Sequence, residues 1–423
     1  EQADPQFPRQ RTRLQKGDTF AMVANAARES LVMLIRHTSQ QLLRAIAQQK
    51  GWSYEQVVDL VGQAKLTGEG EQSFHRMSDK EKAQQLHTAV SVAYASLDLQ
   101  GSKPNERVQE WVSHLEKLLA DNLHITWQAD GQLGEVTRLP SKKQGSYRMG
   151  SATDPEATYR KHDDQDDLGY NVSVITNGEF VREIQADTGA TPDAKPLPQL
   201  LRNQLEHHDL VPEKIVYDQA AGSGKTMAEV HQATDGQTQL VVKPRQMNKQ
   251  GKLFGPRDFS LDPEKHTLTC PNGVSSQTAY RSGSGDGWNY RFTPAQCADC
   301  PLRQQCRAKS EAATTRQVFI SDYRTFEERA RVYTETESFQ EEMRARSDVE
   351  RIIAGLVRYC GARRARTTGL ARADFQAKMA GAVFNAKRLI RKHLLREQQV
   401  RKEAEEARTR QGRGEACVWW PPK

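Results

Sequence analysis

Glu341-Glu-Met-Arg-Ala-Arg346-Ser-Asp-Val-Glu350-Arg-Ile-Ile-Ala-Gly-Leu-Val-Arg358 is the stretch whose reading decides the fold. Its composition favours helix, and Val349, Ile352, Ile353, Leu356 and Val357 recur at three- and four-residue spacing, which turns one face toward a core. Arg346 and Glu350 lie four apart, so they share a face beside that stripe and can pair. A Glu at the edge of a buried stripe, pre-set by an Arg one turn earlier, suits a metal ligand aimed into a cleft. An ordinary surface ion pair accounts for this helix equally well. Just downstream, Arg358, Arg363, Arg364, Arg366 and Arg372 run without an acid until Asp374, the footprint of a polyanion. An acid that can hold a cation, followed by arginines that can hold phosphate, points to chemistry on nucleic acid.

The rest of the chain frames that helix. Its 423 residues allow two or three compact units, and a net charge of +7 is modest, so the position of the positive charge matters more than its total. No apolar run is long enough to span a bilayer, and Glu1-Gln-Ala-Asp-Pro5 has no signal-peptide character. Six cysteines without a secretory signal argue against a disulfide framework, so the expected location is cytoplasmic. The absent initiator Met suggests a fragment, so that an N-terminal module is expected to be missing from this sequence. In order, residues 1–27 hold a first strand, Gly17 to Asn25, with Asp18 at its head. Residues 28–120 are helical, broken at Gly51, Gly68, Gly70 and Gly101-Ser-Lys-Pro104. Residues 121–243 change to strand period. Hairpins are expected at Leu123–Leu139 around Asp130-Gly131 and at Tyr170–Ile184 around Asn177-Gly178, with a helix over 197–205 and strands at 214–218 and 240–243. Residues 244–316 are Gly/Ser/Cys-rich and irregular, 317–395 are helical again, and 396–423 form a charged tail ending in an unexplained Trp419-Trp420. Strands with intervening helices predict a mixed α/β sheet.

Three acids stand out. Asp218 follows an apolar strand, where open α/β sheets place ligand groups. With Asp18 and Glu350 it makes the set that two-metal phosphodiester chemistry needs, because hard Mg2+ takes few carboxylates plus water and phosphate oxygens. Acids alone are a weak signal among 54. Gly222-Ser-Gly-Lys225-Thr226 invites a phosphate-loop reading and an ATP-driven alternative, but Gln219 stands where that loop needs its first Gly. The cluster His162-Asp163-Asp164-Gln165-Asp166-Asp167 reads as a solvated loop, and Asp187 and Asp193 as turn and cap residues around Thr191-Pro192. Cys270, Cys297, Cys300 and Cys306 offer four thiolates to a structural Zn2+, with His266 as a replacement ligand, in a stretch too irregular to build a core without such a staple. Cys360 and Cys417 are isolated. Lys387, Arg388, Arg391, Lys392 and Arg396 give the next helix a basic face suited to phosphates.

The contexts of the acids carry a resemblance. Asp18-Thr-Phe-Ala-Met-Val-Ala-Asn25 resembles the D-G-T-x-x-x-A-N start of the DDE (Asp-Asp-Glu) transposases of bacterial insertion sequences. Ser151-Ala-Thr-Asp-Pro-Glu-Ala157 and Gly169-Tyr-Asn-Val172 are similar to that family's S-x-T-D-P-E-A and G-Y-N-V segments. Arg346-Ser-Asp-Val-Glu350, with Gly369-Leu370 and Asn385-Ala-Lys-Arg388, resembles its R-x-x-V-E, G-L and N-x-K-R ending. The family's D-K/R-G-Y at the second acid is replaced by Asp218-Gln-Ala-Ala. Met343 and Val357 stand where some relatives have Tyr and Lys. The resemblance implies an RNase H-like mixed-sheet core, with a helical insertion after the first strand and a cysteine-rich zinc insertion before the last catalytic helix. It implies Asp18, Asp218 and Glu350 as ligands of two Mg2+ or Mn2+ ions. The expected partner is double-stranded DNA, both element ends and target, gripped by Arg346, Arg358, Arg363, Arg364, Arg366, Arg372, Lys387 and Arg388. A homodimer or higher oligomer on DNA is expected, associated with the nucleoid. The alternative is a catalytically inactive, zinc-containing DNA-binding protein descended from such an enzyme.

Overall fold

The computed structural model describes residues 13–69, 76–145, 149–162, 165–245, 253–307 and 315–415. The first strand, β1 (Leu14–Val23), leads into helices α1 (Leu31–Lys50), α2 (Tyr54–Val61), α3 (Gln63–Thr67), α4 (Asp79–Asp98) and α5 (Glu106–Asn122). Local signals set these helices. Ser30 caps α1, Gly51 ends it in the left-handed region at φ 67°, and Ser78 with Glu81 forms a capping box on α4. Their apolar faces close on one another around Leu42, Leu43, Ala93 and Leu115. Among the described residues the hairpin β2 (Leu123–Trp127) and β3 (Leu133–Arg138) forms a two-stranded sheet of its own and packs through Leu123 and Val136 on this helical unit. Placing it among the core strands by sequence was incorrect: alternation marks a strand but does not say which apolar face receives it.

The central sheet comprises β1, β4 (Thr158–His162), β5 (Gln165–Thr176), β6 (Val181–Thr188), β7 (Lys214–Val216) and β8 (Gln239–Val241), with α6 (Leu197–His208) before β7 and α7 (Gly224–Ala233) before β8. β1 is antiparallel to β5, which pairs on its other edge with β4 and then β6, while β7 and β8 run parallel to β1 on its opposite side. The polar strand β4 escapes a hydrophobic pattern. The stretch 163–164, within the acidic cluster noted above, lies outside the described residues.

After β8 come β9 (Ser260–Asp262), β10 (Thr267–Thr269), β11 (Thr278–Arg281), β12 (Gly287–Phe292), the short helix α8 (Arg303–Cys306) and β13 (Arg316–Ser321). Strands β11, β12 and β13 make a sheet whose core holds Phe259, Leu268, Tyr290, Phe292, Val318 and Ile320. This segment is therefore more regular than its Gly/Ser content led one to expect, because Phe259, Tyr290 and Phe292 pack with Leu268, Val318 and Ile320 into one small core. Helices α9 (Arg324–Thr334), α10 (Glu337–Arg344), α11 (Ser347–Tyr359) and α12 (Leu370–Glu415) complete the chain. Val349, Ile352 and Leu356 of α11 and Ala373, Ala377 and Ala380 of α12 cover one face of the sheet, over Met22, Tyr170, Val172 and Val174. Leu197, Leu200 and Leu201 of α6 and Met227 and Val230 of α7 cover the other, over Ile175, Ile215 and Tyr217. Among the described residues no helix is long and apolar enough to cross a membrane.

Candidate active site

Asp18 lies in the middle of β1, opposite Val174 of β5, rather than at the strand's head. The strand starts earlier than hydrophobicity indicates because its polar residues are buried with partners. Gln15 exchanges two hydrogen bonds with Gln204 of α6, and Lys16 pairs with Asp348 of α11 at 3.1 Å. Alternation then sorts the side chains, with Gln15, Gly17 and Thr19 toward α6 and Lys16, Asp18, Phe20 and Met22 toward α11. A Cβ on Gly17 would sit 2.6 Å from the Tyr217 ring, so glycine is required beside Asp18 for the ring to pack there.

Pairing of β1 with β7 stops at Lys16–Val216, and Asp218 follows two residues later at the carboxyl end of β7. Asp218 Oδ1 accepts from the Ala220 amide at 3.0 Å and caps a single helical turn. Arg346, immediately before α11, reaches both remaining acids: its Nη2 donates to Asp18 Oδ2 at 2.5 Å, and its Nη1 lies 3.5 Å from Glu350 Oε1. Side-chain exposure falls from 62% at Glu350 to 23% at Arg346 and 16% at Asp18, so Glu350 stands at the mouth and Asp18 at the floor. Burial pushes the Asp18 carboxyl above its usual range. Arg346 and the Thr19 amide pull it down, while Asp218 and Asp193 push it up again. Tyr217 feels the same crowd, its hydroxyl held well above the ordinary phenol value by burial and then by Asp18, Asp193 and Asp218.

Asp193 is the site residue that sequence reasoning missed. It is no mere cap: its Oδ1 accepts from Thr19 Oγ1 at 2.6 Å and Asn171 Nδ2 at 3.1 Å, and its backbone carbonyl accepts from Tyr217 Oη at 2.9 Å. It thus ties β1, β5 and the end of β7 together from beneath the acids. A single Asp after Thr191-Pro192 carries no signal of this in a lone sequence.

Several motif residues clamp the helices onto the sheet. Asp154 accepts from Tyr170 Oη at 2.5 Å, and that hydroxyl accepts from the Gly369 amide at 3.1 Å. Glu156 accepts from the Leu370 amide at 2.7 Å, fixing the start of α12, while Gly369 turns the chain at φ 96°. Asn25 donates to the Arg366 carbonyl, and Asn385 both accepts from and donates to the backbone of Val181. The loop carrying Arg363, Arg364 and Arg366 is thereby pinned to the end of β1, with backbone bonds between Val23 and both Arg363 and Ala365. Arg358, Arg363, Arg364, Arg366, Arg372 and Lys387 are exposed and Arg388 is half-buried. Arg346 differs from them, since its guanidinium is engaged inside the acid cluster.

Cys270, Cys297, Cys300 and Cys306 all line one pocket, with Phe254, Phe259 and Phe292 around them. Burial pushes the Cys306 thiol up; Arg316 lowers it, and the other three thiols raise it further. His266 packs instead on the Trp288 ring at 4.8 Å and does not line the pocket. Cys360 lies away from this pocket on α11's end, and Cys417, Trp419 and Trp420 fall outside the described residues. Lys225, in the loop that resembled a phosphate binder, is bonded to Asp286 at 3.1 Å.

The donor chemistry of both clusters fits metal: hard carboxylate oxygens for Mg2+ or Mn2+, and thiolates for Zn2+. Among the described residues, however, no three His, Cys, Asp or Glu side chains stand together as a ready ligand set. At the acids, Arg346 lies between two of the candidate ligands. Residues 269–390 match the model of a family described as "Transposase DDE domain", a span that includes Glu350 and all four pocket cysteines but neither Asp18 nor Asp218. No curated protein and no solved structure matches the chain.

Proposed function

We propose that this DDE transposase cuts DNA at the ends of an insertion sequence and joins the freed ends to target DNA, using Asp18, Asp218 and Glu350 as its catalytic carboxylates. The observation that supports the reading is pairwise proximity: Asp218 acts electrostatically on Asp18, and Arg346 bonds Asp18 and lies 3.5 Å from Glu350, so β1, the end of β7 and α11 each bring one acid to this region. An RNase H-like core is supported by the strand order β6-β5-β1-β7-β8, with β5 and β6 alternating in direction and β7 and β8 following β1. Two divalent ions held by these acids would activate the attacking oxygen and stabilise the leaving one. The chain's own part is to hold the phosphodiester in line and to neutralise its charge. The exposed arginines from Arg358 to Arg372, with Lys387 and Arg388 on α12, suit the phosphate backbone of a duplex, so affinity should fall steeply with salt. The four thiols suit a closed structural Zn2+ site that holds residues 253–307 in shape and takes no part in the chemistry.

The test is cleavage of duplexes carrying the element's own terminal repeats, with and without Mg2+ or Mn2+. The expected result is metal-dependent nicking by the native chain and none by Glu350→Ala, with duplex binding retained by both. Nicking retained by Glu350→Ala removes that residue from the centre. Binding without any metal-dependent cleavage favours the inactive DNA-binding alternative.

A further inference from the structure

Arg346 combines three features that an ordinary ion-pair partner does not. It bonds Asp18, 16% exposed, at 2.5 Å and approaches Glu350, 62% exposed, at 3.5 Å, so its guanidinium lies between the two carboxylates. Its Nε is buried without a hydrogen-bond partner, so the seat satisfies the guanidinium only in part. Its backbone is held independently of that seat. Two residues on, Asp348 is bound by both Lys16 and Arg351, while Val349, Ile352 and Leu356 lock α11 against the sheet. The side chain can therefore leave while the helix stays, along a path that opens at Glu350. The balance of charge requires something positive here: Asp18 is crowded by Asp218 and Asp193 at a site where burial already penalises its charged form.

We infer that Arg346 is a latch that competes with a divalent cation for Asp18 and Glu350, and that entry of the ion frees its guanidinium for a DNA phosphate. The two cations exclude one another because they need the same oxygens. The planar fork of Arg reaches both carboxylates at once, and once displaced it suits a phosphate equally well. Ion binding and phosphate binding at Arg346 then reinforce each other, which delays full assembly of the centre until metal and DNA are both present. This inference rests on the carboxylate assignment proposed above.

Calorimetric titration of the full chain with Mn2+ alone tests it without reference to cleavage. Arg346→Gln removes the competitor, so Mn2+ affinity should rise about tenfold, equivalent to about 1.4 kcal/mol. Arg346→Lys keeps the charge but has one ammonium in place of the fork, so a smaller rise is expected; should Arg346→Gln unfold, this variant carries the test alone. A folded variant that binds Mn2+ no more tightly than the native chain overturns the latch and leaves the carboxylate assignment standing. Absence of Mn2+ binding in the native chain and in both variants overturns the latch and the carboxylate assignment together. In the second arm, Ca2+ should tighten a short duplex on the native chain more than on Arg346→Gln. An equal gain in both argues against release of the guanidinium to phosphate and overturns that half of the inference.

Discussion

Asp18 sits on a strand paired along both edges and covered by helices on both faces, whereas Cys297 and Cys300 sit in a single helical turn and the loop after it, on a small three-stranded sheet. The acids repel one another and are kept close by the rest of the fold, with Arg346 inserted to balance them. The thiols are neutral when protonated, can crowd one pocket without that cost, and have little rigid structure around them. The first arrangement stores unfavourable charge on a stiff frame, which is how a reactive centre is prepared. The second has a weak frame that a bound ion would brace.

Experiments that separate the two regions should do so in opposite senses. The largest effect is expected from Asp18→Asn and Asp218→Asn, each abolishing detectable strand cleavage while circular dichroism and duplex binding stay native. If either variant also unfolds the chain, the frame is not as independent of its acids as the comparison holds. Next, Cys297→Ser or Cys300→Ser should remove bound zinc, measured by atomic absorption. Each should also lower stability by about 3 kcal/mol, a melting shift of about 3 °C for a chain of this length. An unchanged melting temperature would dissolve the contrast. Asp193→Asn keeps shape but weakens the grip on Thr19, Asn171 and the strand ends. It should cut the cleavage rate about tenfold with duplex affinity unchanged, as expected of a residue that orients a ligand without being one. The smallest effect is expected from Lys16→Met. Lys16 is only 8% exposed, but its partner Asp348 keeps Arg351, so the loss should be about 1 kcal/mol in urea unfolding rather than the several that follow when a buried charge is stranded.

Some of this was legible in the sequence for definite reasons. The apolar spacing of Val349, Ile352 and Leu356 made α11 a covered helix, and the three residues are buried against the sheet. Asn177-Gly178 is a strong hairpin signal because Gly178 can take the positive φ the turn needs, 90° here, and the turn joins β5 to β6. Other features were not legible. The start of β1 was missed because Gln15 and Lys16 look like surface residues until Gln204 and Asp348 are opposite them. Asp193 was misread because its partners, Thr19 and Asn171, lie 174 and 22 residues away. The regular strands around the cysteines were missed because Gly and Ser dilute a pattern that only a few aromatics carry.

By itself the sequence determined the strongly periodic helices and hairpins, where the acids, arginines and thiols lie along the chain, and which family's motifs they resemble. These depend on local spacing and residue chemistry, which neighbouring positions settle. The tertiary structure alone decided that Arg346 faces inward to Asp18 while the later arginines face out, that Asp193 belongs beneath the centre, and that the first hairpin joins the helices. Each depends on which buried face meets which, and on how a buried charge finds its counter-charge. Those choices are settled by the whole fold, because desolvation penalises every arrangement that leaves the charge alone.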